Sequence, residues 1–236
     1  MRAERIPPAT VARLPVYVQG LSTLAGEGLE VVSSQRLAAA IGIQAPQIRR
    51  DLSYLGAFGT PGVGYDVKAL LQEVSGSLGL ARQWPVAIVG CGHLGSALAA
   101  YSGFSEHNFQ VVALFDPKPD LVGRRVGDLV ILHPDCLPRV ARELGIEIAV
   151  LATPTVAAQG AADKLVATGI TSILNFTPTT LTVPPGVAVR NIDLAVEMQI
   201  LSFHETFKQV AEIRGQGAPA SRRSMGRWPK ERVPCD

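Results

Sequence analysis

The chain is poor in cysteine and lacks long apolar runs. Its three cysteines, Cys91, Cys136 and Cys235, lie far apart, which argues against a disulfide framework and favours a reducing compartment. No apolar run approaches the roughly 20 residues of a membrane-spanning helix. Residues 1–8 also lack the apolar centre of a signal peptide. These absences predict a soluble cytoplasmic protein with no membrane segment.

Charge is scarce as well. Charged residues make up 18% of the chain, and the formal net charge is +2. A balance this close to neutral neither demands nor excludes a nucleic-acid partner. Apolar residues make up 47% of the 236 positions, and this length suffices for two modest domains. We therefore expect a globular protein with room for two domains.

A glycine-rich turn lies between two predicted strands in the middle of the chain. Residues 86–89 predict the first strand, a helix is predicted from Ser96, and residues 111–115 predict a second strand that ends at Asp116. In such a turn the first glycine permits the tight bend, the second admits a pyrophosphate, and the third allows close helix packing. The order predicts an NAD(H) site whose residues are Gly90, Cys91, Gly92, His93, Leu94, Gly95 and Asp116.

The carboxylate of Asp116 is the predicted partner of the cofactor's ribose. Asp116 lies roughly 20 residues beyond the last glycine, at a distance suited to accepting a hydrogen bond from a ribose hydroxyl. A carboxylate there would also repel a 2′-phosphate, which favours NAD(H) over NADP(H). A glycine turn that serves only packing is the alternative interpretation.

Strands and helices alternate through the rest of this region. Predicted strands at 128–132, 146–152, 172–176 and 187–192 are separated by predicted helices at 134–144 and 156–168. The alternation predicts an α/β fold with a doubly wound parallel sheet of Rossmann type. Ligands of such sheets lie beyond the carboxyl ends of the strands. The candidate lining residues at those ends are Thr153, Pro154, Asn175, Phe176, Thr177 and Asp193.

The N-terminal third predicts a helix-turn-helix. Pro15 is expected to begin a long helix, and Ser33 and Ser34 to cap a second helix over 35–41 that Gly42 ends. A third helix is predicted over 45–55, and the glycine-rich stretch 59–67 predicts a small hairpin, the wing of a winged helix. A further helix over 67–80 leads to the expected domain boundary at 81–83.

The third helix carries side chains that suit DNA. Amides and guanidinium groups on its open face match base edges and phosphates in a major groove. Together with the capping serine and the wing, the expected DNA-binding residues are Ser34, Gln44, Ala45, Gln47, Arg49, Arg50, Ser53, Tyr54, Thr60, Gly62 and Tyr65. The alternative is that the arginines only solvate the surface of a structural helix pair.

A long helix is predicted at 194–214, with Asp193 as its cap. Its apolar residues recur at spacings of three and four, at Val196, Ile200, Phe203, Phe207 and Val210. This face predicts either a dimer contact or packing onto its own domain. We expect residues 1–82 to form the DNA-binding domain, 83–193 the nucleotide domain, 194–214 the dimerisation helix and 215–236 a disordered tail.

Several stretches together resemble one known family, the redox-sensing transcriptional repressors called Rex. The resemblance rests on Thr10-Val11-Ala12-Arg13-Leu14-Pro15, on residues 48–56, 62–65 and 90–95, and on Ile173-Leu174-Asn175-Phe176. It implies a homodimer with a winged helix before a Rossmann domain and a C-terminal helix exchanged between subunits. It also implies binding to inverted-repeat operators of respiratory and fermentative genes, with release by NADH and competition by NAD⁺.

The resemblance further implies a hydrogen-bonded switch. In the family, a basic residue of the first long helix pairs across the dimer with the acid that matches Asp193, close to the tyrosine that matches Tyr101. Tyr101 is therefore added to the expected cofactor-binding residues. This sequence departs from the family at Gln19, which replaces the basic residue, and at Pro61, which replaces an arginine of the wing.

Other functions remain open at this stage. A dehydrogenase would need a proton donor facing the nicotinamide, and the four histidines of the chain are isolated from one another. The pairing of Thr153-Pro154 with Asn175-Phe176 is also similar to coenzyme A-binding domains of acyl-CoA ligases. Thiol redox sensing through Cys91 lacks a resolving cysteine nearby. We expect a regulator without enzymatic activity.

Overall fold

The computed structural model describes residues 6–56, 59–60 and 62–215, with side chains of the last helix through Lys208. The helices are α1 (Pro8–Gly26), α2 (Ser34–Ile41), α3 (Ala45–Leu55), α4 (Val67–Ser77), α5 (His93–Ala99), α6 (Ser102–Glu106), α7 (Leu137–Glu143), α8 (Thr155–Ala167) and α9 (Leu194–Gly215). The strands are β1 (Val31–Val32), β2 (Gly59–Thr60), β3 (Gly64–Asp66), β4 (Trp84–Val89), β5 (Phe109–Phe115), β6 (Arg125–Val126), β7 (Leu129–Leu132), β8 (Ile148–Leu151), β9 (Ser172–Asn175) and β10 (Ala188–Asn191).

The N-terminal part is a winged helix-turn-helix, as the sequence predicts. Ser33 caps α2 by accepting from Arg36 N at 3.1 Å, and Gly42 ends that helix with a φ of 71°. The wing strands β2 and β3 pair antiparallel, and β1, which the sequence analysis did not predict, completes a three-stranded sheet in the order β1-β3-β2. The predicted position of Pro61 at the wing lies outside the described residues.

Pro15 does not begin a helix, contrary to the prediction. It lies inside α1, which starts seven positions earlier at Pro8. A proline there removes the hydrogen bond to Val11, but both residues lie on the exposed side, where water can solvate the carbonyl group. The opposite side of α1 is anchored in the core by Thr10, Leu14, Tyr17, Leu21 and Leu24. This burial holds the helix together across the proline.

A buried carboxylate joins α1 to α3. Asp51 is fully buried and accepts hydrogen bonds from Arg13 Nε at 2.6 Å, Tyr17 Oη at 2.5 Å, Thr10 Oγ1 at 2.9 Å and Gln47 Nε2 at 2.9 Å. Burial alone would raise the pKa of Asp51, but the hydrogen bonds from Arg13, Tyr17, Thr10 and Gln47 outweigh it and hold that pKa well below its usual range. The charged form is therefore part of the folded structure.

The remaining strands form a seven-stranded sheet in the order β10-β9-β8-β4-β5-β7-β6. Strands β10 through β7 pair parallel, which confirms the doubly wound prediction. The edge strand β6 pairs antiparallel with β7 and was not predicted. It forms because Gly123 and Gly127, both at positive φ, reverse the chain tightly on either side of it.

The sheet is covered on both faces. Ala87 and Val89 of β4 contribute to one core, whereas Val86 and Ile88 contribute to the core on the opposite face. Their alternation follows from the two-residue period of a strand. Val89 is paired with Phe115 on one side and with Leu151 on the other. The carboxyl ends of β4, β5 and β8 therefore meet at one edge of the sheet.

Several predicted boundaries differ from the structure. Helix α5 begins at His93 and ends at Ala99, and a separate helix, α6, follows because Tyr101 has an extended backbone that interrupts the run. The predicted helix over 134–144 is a 3₁₀ turn, Pro134–Cys136, followed by α7. Helix α4 stops at Ser77 instead of residue 80. No helix in the described part of the chain has the length and apolarity needed to cross a bilayer.

We expect Asp51→Asn to destabilise the fold by about 3 kcal/mol at neutral pH, because the amide cannot offer acceptors to all the donors around it. The lowered pKa of Asp51 means that its stabilising charge is fully present above pH ~4 and is lost as the pH falls below that value. Urea unfolding at pH 7 and pH 3 should therefore show a smaller difference between native chain and variant at pH 3. An equal difference at both pH values would contradict this assignment.

Candidate functional site

The glycine turn after β4 is built by close backbone contacts. Gly90 has a φ of 95°, and a Cβ on it would lie 2.6 Å from the carbonyl oxygen of Ala152. A Cβ on Gly95 would overlap the carbonyl oxygen of Gly90, so α5 approaches β4 as closely as the backbone allows. A Cβ on Gly92, by contrast, would meet no described atom within 4 Å. Two of the glycines therefore serve packing, and Gly92 leaves open space beside the helix N-terminus.

Asp116 is held rigidly beside this turn. Its Oδ2 accepts from Cys91 N at 2.8 Å and its Oδ1 accepts from Lys118 N at 2.9 Å, and the residue is 5% exposed. An ionised carboxylate has about four acceptor positions, so two backbone donors leave capacity for the hydroxyls of a ligand. The structure thus places the predicted acid against the predicted glycine turn.

Cys91 is a packing residue of the turn. The side chain is buried, and its Sγ lies 3.5 Å from the carbonyl oxygen of Phe115. Burial, and then the neighbouring charge of Asp116, raise the pKa of the Cys91 thiol to about 11. The thiol therefore stays protonated at neutral pH, which disfavours the redox-sensing thiol considered above.

The carboxyl ends of β8 and β9 carry two kinds of polar residue. Asn175 is fully buried; its Nδ2 donates to Thr179 O at 3.0 Å and to Asn191 Oδ1 at 2.9 Å, and its Oδ1 accepts from Thr177 N at 3.0 Å. These bonds organise the loops after β9 and β10. Thr153 Oγ1 is buried but has no hydrogen-bond partner within the described part of the chain. Thr153 is therefore the candidate donor at this edge, while Asn175 and Thr177 hold the loops in place.

The other predicted cofactor residues are spread more widely. His93 and Leu94 begin α5, and Pro154 and Phe176 follow β8 and β9. Asp193 caps α9 by accepting from Ala195 N at 2.9 Å. Tyr101 is not grouped with the turn, because it lines a separate groove between the two halves of the chain.

This interdomain groove has a volume of about 970 Å³. One wall comes from α1 and the end of α4, the other from α6 and the start of β5, and side chains of β4, β8 and β9 form its floor. Gln19 of α1 and Tyr101 both line it, as do the apolar residues Val16, Leu78 and Phe104. Apolar and polar side chains from both halves of the chain therefore line the same groove.

A second recess joins the helix-turn-helix to the wing. It has a volume of about 440 Å³ and is formed by the start of α2, one side chain of α3 and strands β2 and β3. Arg49 Nη1 donates to Ser34 Oγ at 2.9 Å. The recess brings together five of the predicted DNA-binding residues, Ser34, Arg49, Thr60, Gly62 and Tyr65. Sequence reasoning missed Gln35 and Val63, which have no motif of their own, and took Ser33 only as a cap.

The remaining predicted DNA-binding residues lie along α3. Arg50 and Tyr54 are exposed on it, and the exposed Gln44 is its N-cap residue. Gln47 donates to the buried Asp51 one turn further along the same helix, so its amide is engaged within the domain. Ser53 Oγ donates to Arg50 O at 2.6 Å and remains at the surface. Ala45 occupies the first turn of the helix.

The fold, the glycine turn with its acid and the recess beside the wing together define a regulator of the winged-helix class that carries a Rossmann-type nucleotide domain. Family models agree with this division. Residues 5–53 match the model described as "Putative DNA-binding protein N-terminus", and residues 81–179 match the "CoA binding domain" model.

Relatives and solved structures identify the family. A redox-sensing transcriptional repressor Rex of Streptomyces avermitilis is 49% identical over 99% of this chain and 94% of its own length. A Rex of Carboxydothermus hydrogenoformans is 44% identical over 86% of this chain and 98% of its own length. The chain belongs to the Rex family of redox-sensing transcriptional repressors.

The structures of RSP, a Rex-family repressor, agree with the whole fold. RSP in complex with β-NAD⁺ and operator DNA gives a TM-score of 0.82 at 32% identity, and covers 90% of this chain and 99% of RSP. RSP in complex with β-NADH gives a TM-score of 0.79 at 31% identity, and covers 88% of this chain and 98% of RSP.

Gly95→Ala and Gly92→Ala should differ in their effect on stability, because Gly95 packs against backbone and Gly92 faces open space. Because the new Cβ overlaps Gly90 O, we expect Gly95→Ala to destabilise the fold by about 3 kcal/mol. Gly92→Ala should leave stability within about 0.5 kcal/mol, since its Cβ meets nothing described. Thermal unfolding followed by circular dichroism measures both. Equal losses in the two variants would refute the assigned difference.

Proposed function

We propose that this chain is a homodimeric repressor that binds operator DNA through α3 and the wing and is released from it by NADH. The observation that carries the proposal is the pairing, in one chain, of a winged helix-turn-helix with a glycine turn that has a buried acid against it. Rex relatives at 40–50% identity and the RSP complexes with NADH, NAD⁺ and operator DNA support it. We assign residues 1–82 to DNA binding, 83–193 to the nucleotide and 194–214 to dimerisation.

The residues around the turn fit NAD(H). The open space at Gly92 and the N-terminus of α5 suit a pyrophosphate, and Asp116 retains acceptor capacity for the adenosine ribose. The hydroxyl of Thr153, which is buried and has no partner among the residues that the structure describes, would donate to the ligand at the adjoining strand end. His93 and Leu94 would flank the phosphates, while Asn175 and Thr177 would hold the loop that Phe176 leads into.

The redox state of the ligand is read through its charge. Bound nicotinamide supplies a ring that is positively charged only in the oxidised form. Pro154 is exposed after β8, and Phe176, directly after β9, is half-buried against the core of one sheet face. An apolar surround disfavours a buried charge, so these residues favour NADH over NAD⁺. The ligand shifts the protein between its states by no more than its difference in affinity for them.

The proposed DNA-binding residues fall into two groups, one for phosphates and one for bases. Arg49, Ser34 and Thr60 line the recess beside the wing, where a backbone phosphate would accept their hydrogen bonds. Arg50 and Tyr54, exposed on α3, and Gln44, its exposed N-cap residue, would face the bases of the major groove. Gln47 would support Asp51, the carboxylate through which α1 holds α3. We propose phosphate binding in the recess beside the wing and base recognition along α3.

We propose that α9 joins the dimer by entering the interdomain groove of the partner subunit. Its apolar side chains Val196, Ile200, Leu201, Phe203 and Phe207 are between 44% and 57% exposed, so within this chain they cover little. The groove offers apolar walls at Val16, Leu78 and Phe104. Asp193, at the start of α9, would then lie near Gln19 and Tyr101 of the other chain. Val210 belongs to the same predicted face, but its side chain lies outside those described.

A rotation between the two nucleotide domains would then control DNA binding. A dimeric helix-turn-helix protein needs its recognition helices about 34 Å apart to enter successive major grooves. A change of spacing on NADH binding therefore releases the protein. We further propose that it works in the cytoplasm without catalytic activity. His107, whose Nδ1 lies 2.8 Å from Gly103 O, and His93 in the phosphate turn are unsuited to proton donation toward a substrate.

The direct test is a titration of DNA binding with nucleotides. A fluorescent duplex, enriched from a random pool by the native chain, is followed by anisotropy at fixed salt while NADH, NAD⁺ or coenzyme A is added. We expect NADH alone to release the duplex, and Gly92→Ala to require at least tenfold more NADH because its Cβ occupies the phosphate space. Binding that is indifferent to NADH would contradict the proposal, and release by coenzyme A instead would support the ligase-type alternative.

Removing the apolar face of α9 should abolish the dimer. We expect Phe203→Ser with Phe207→Ser to convert the protein from a dimer to a monomer in sedimentation velocity, because both rings lie exposed on α9 and would be buried only in the assembly. Glu205→Gln, on the same helix, is the matched control and should stay dimeric. A double variant that remains dimeric would show that α9 is not the dimer contact.

A further inference from the structure

The two halves of the chain make few direct bonds to each other. Among the described residues, no hydrogen bond or ion pair joins residues 6–78 to residues 84–208. The winged helix is therefore oriented by residues 79–83, the linker, and by whatever fills the interdomain groove. What fixes the linker also fixes the direction in which the DNA-binding half points.

The linker is clamped to the nucleotide half at several points. Trp84 Nε1 donates to Gly79 O at 2.8 Å, which ties the start of the linker to β4. The guanidinium group of Arg82 stacks 3.6 Å from the centre of the Trp84 ring and donates to Glu147 at 2.9 Å. These contacts fix the end of the linker that enters β4.

Asn108, directly before β5, also holds the linker through hydrogen bonds. Its Nδ2 donates to Leu80 O at 2.8 Å, and its own carbonyl oxygen accepts from Trp84 N at 2.7 Å. Asn108 thus holds the chain at Leu80, within the linker, and at Trp84, just after it. Asn108 has a φ of 64°, and it is the non-glycine residue with positive φ in the described part of the chain. Glycine adopts this conformation at no steric cost, so the backbone alone does not require an asparagine.

The position of Asn108 gives this amide a further role. It follows α6, the helix that Tyr101 precedes, and both residues line the interdomain groove. Leu80, its bonding partner, lines the same groove from the side of α4. A displacement of α6 within the nucleotide half would therefore be passed to the linker through the bond between Asn108 and Leu80, and from the linker to the winged helix.

We propose that Asn108 is a positioning residue that couples the nucleotide half to the orientation of the winged helix. The inference rests on the proposed release by NADH and names the residue through which that release is transmitted. Asn108 lies outside both the proposed DNA-binding residues and the glycine turn. Its loss should reduce the communication between the two sites and leave each site able to bind its own ligand.

The test measures the coupling directly in the full-length protein. The coupling factor is the ratio of the dissociation constants for the enriched duplex with and without saturating NADH; such factors are typically about 5–150. Asn108→Gly retains access to positive φ and removes only the amide, and Asn108→Asp keeps the shape but loses the donor. We expect both to lower the coupling factor about fivefold, with NADH affinity in the absence of DNA unchanged within about twofold.

Gln159→Ala is the matched control. Gln159 Nε2 donates to Thr182 O at 2.8 Å, an exposed bond of the same kind and length, but both of its ends lie in the nucleotide half. It should leave the coupling factor unchanged. A native coupling factor above one that persists in both Asn108 variants would overturn the inference alone. A native factor of one would overturn the proposed release by NADH, and the inference with it.

Discussion

The approach of α5 to the end of β4 is the contact on which the nucleotide half depends. A Cβ on Gly95 would overlap the carbonyl oxygen of Gly90, and a Cβ on Gly90 would clash with the backbone of Ala152 at the end of β8. This contact sets where the helix begins, and Asp116 then locks the turn by accepting from Cys91 N. The helix N-terminus, the open space at Gly92 and the ends of three parallel strands meet at one edge because of it.

Each half of the molecule is held together firmly, whereas the connection between the halves is weak. Each has its own core, and the winged helix is tied together by an ionised carboxylate that neighbouring donors surround. Between the halves there is a linker, an open groove and few bonds. A protein that must respond to a ligand benefits from this contrast, because rigid units joined weakly can change their relative orientation without unfolding either one.

Much of this architecture could be predicted from the sequence because it rests on local rules. Glycine spacing, strand and helix periods and capping residues gave the turn, the doubly wound sheet and α3. The errors came from tertiary effects. Pro15 lies within α1 because burial of the opposite face outweighs the lost hydrogen bond. Asp51 is buried because α1 supplies donors 34 to 41 residues away, and Asn175 bonds to the side chain of Asn191 on the neighbouring strand; no local pattern reveals either contact. The linker clamp at Asn108 joins residues 28 apart, and its sequence carries no motif for that pairing.

The enclosure of Asp51 has a consequence for how the protein discriminates among operators. Because Asp51 of α3 is gripped by Arg13 and Tyr17 of α1, the recognition helix cannot tilt or slide independently of its own domain. The exposed face of α3 therefore keeps its orientation relative to the rest of the winged helix. With α3 as the proposed base-reading helix, a nucleotide would alter the separation and angle at which two half-sites are met and would leave the preferred bases within each half-site unchanged.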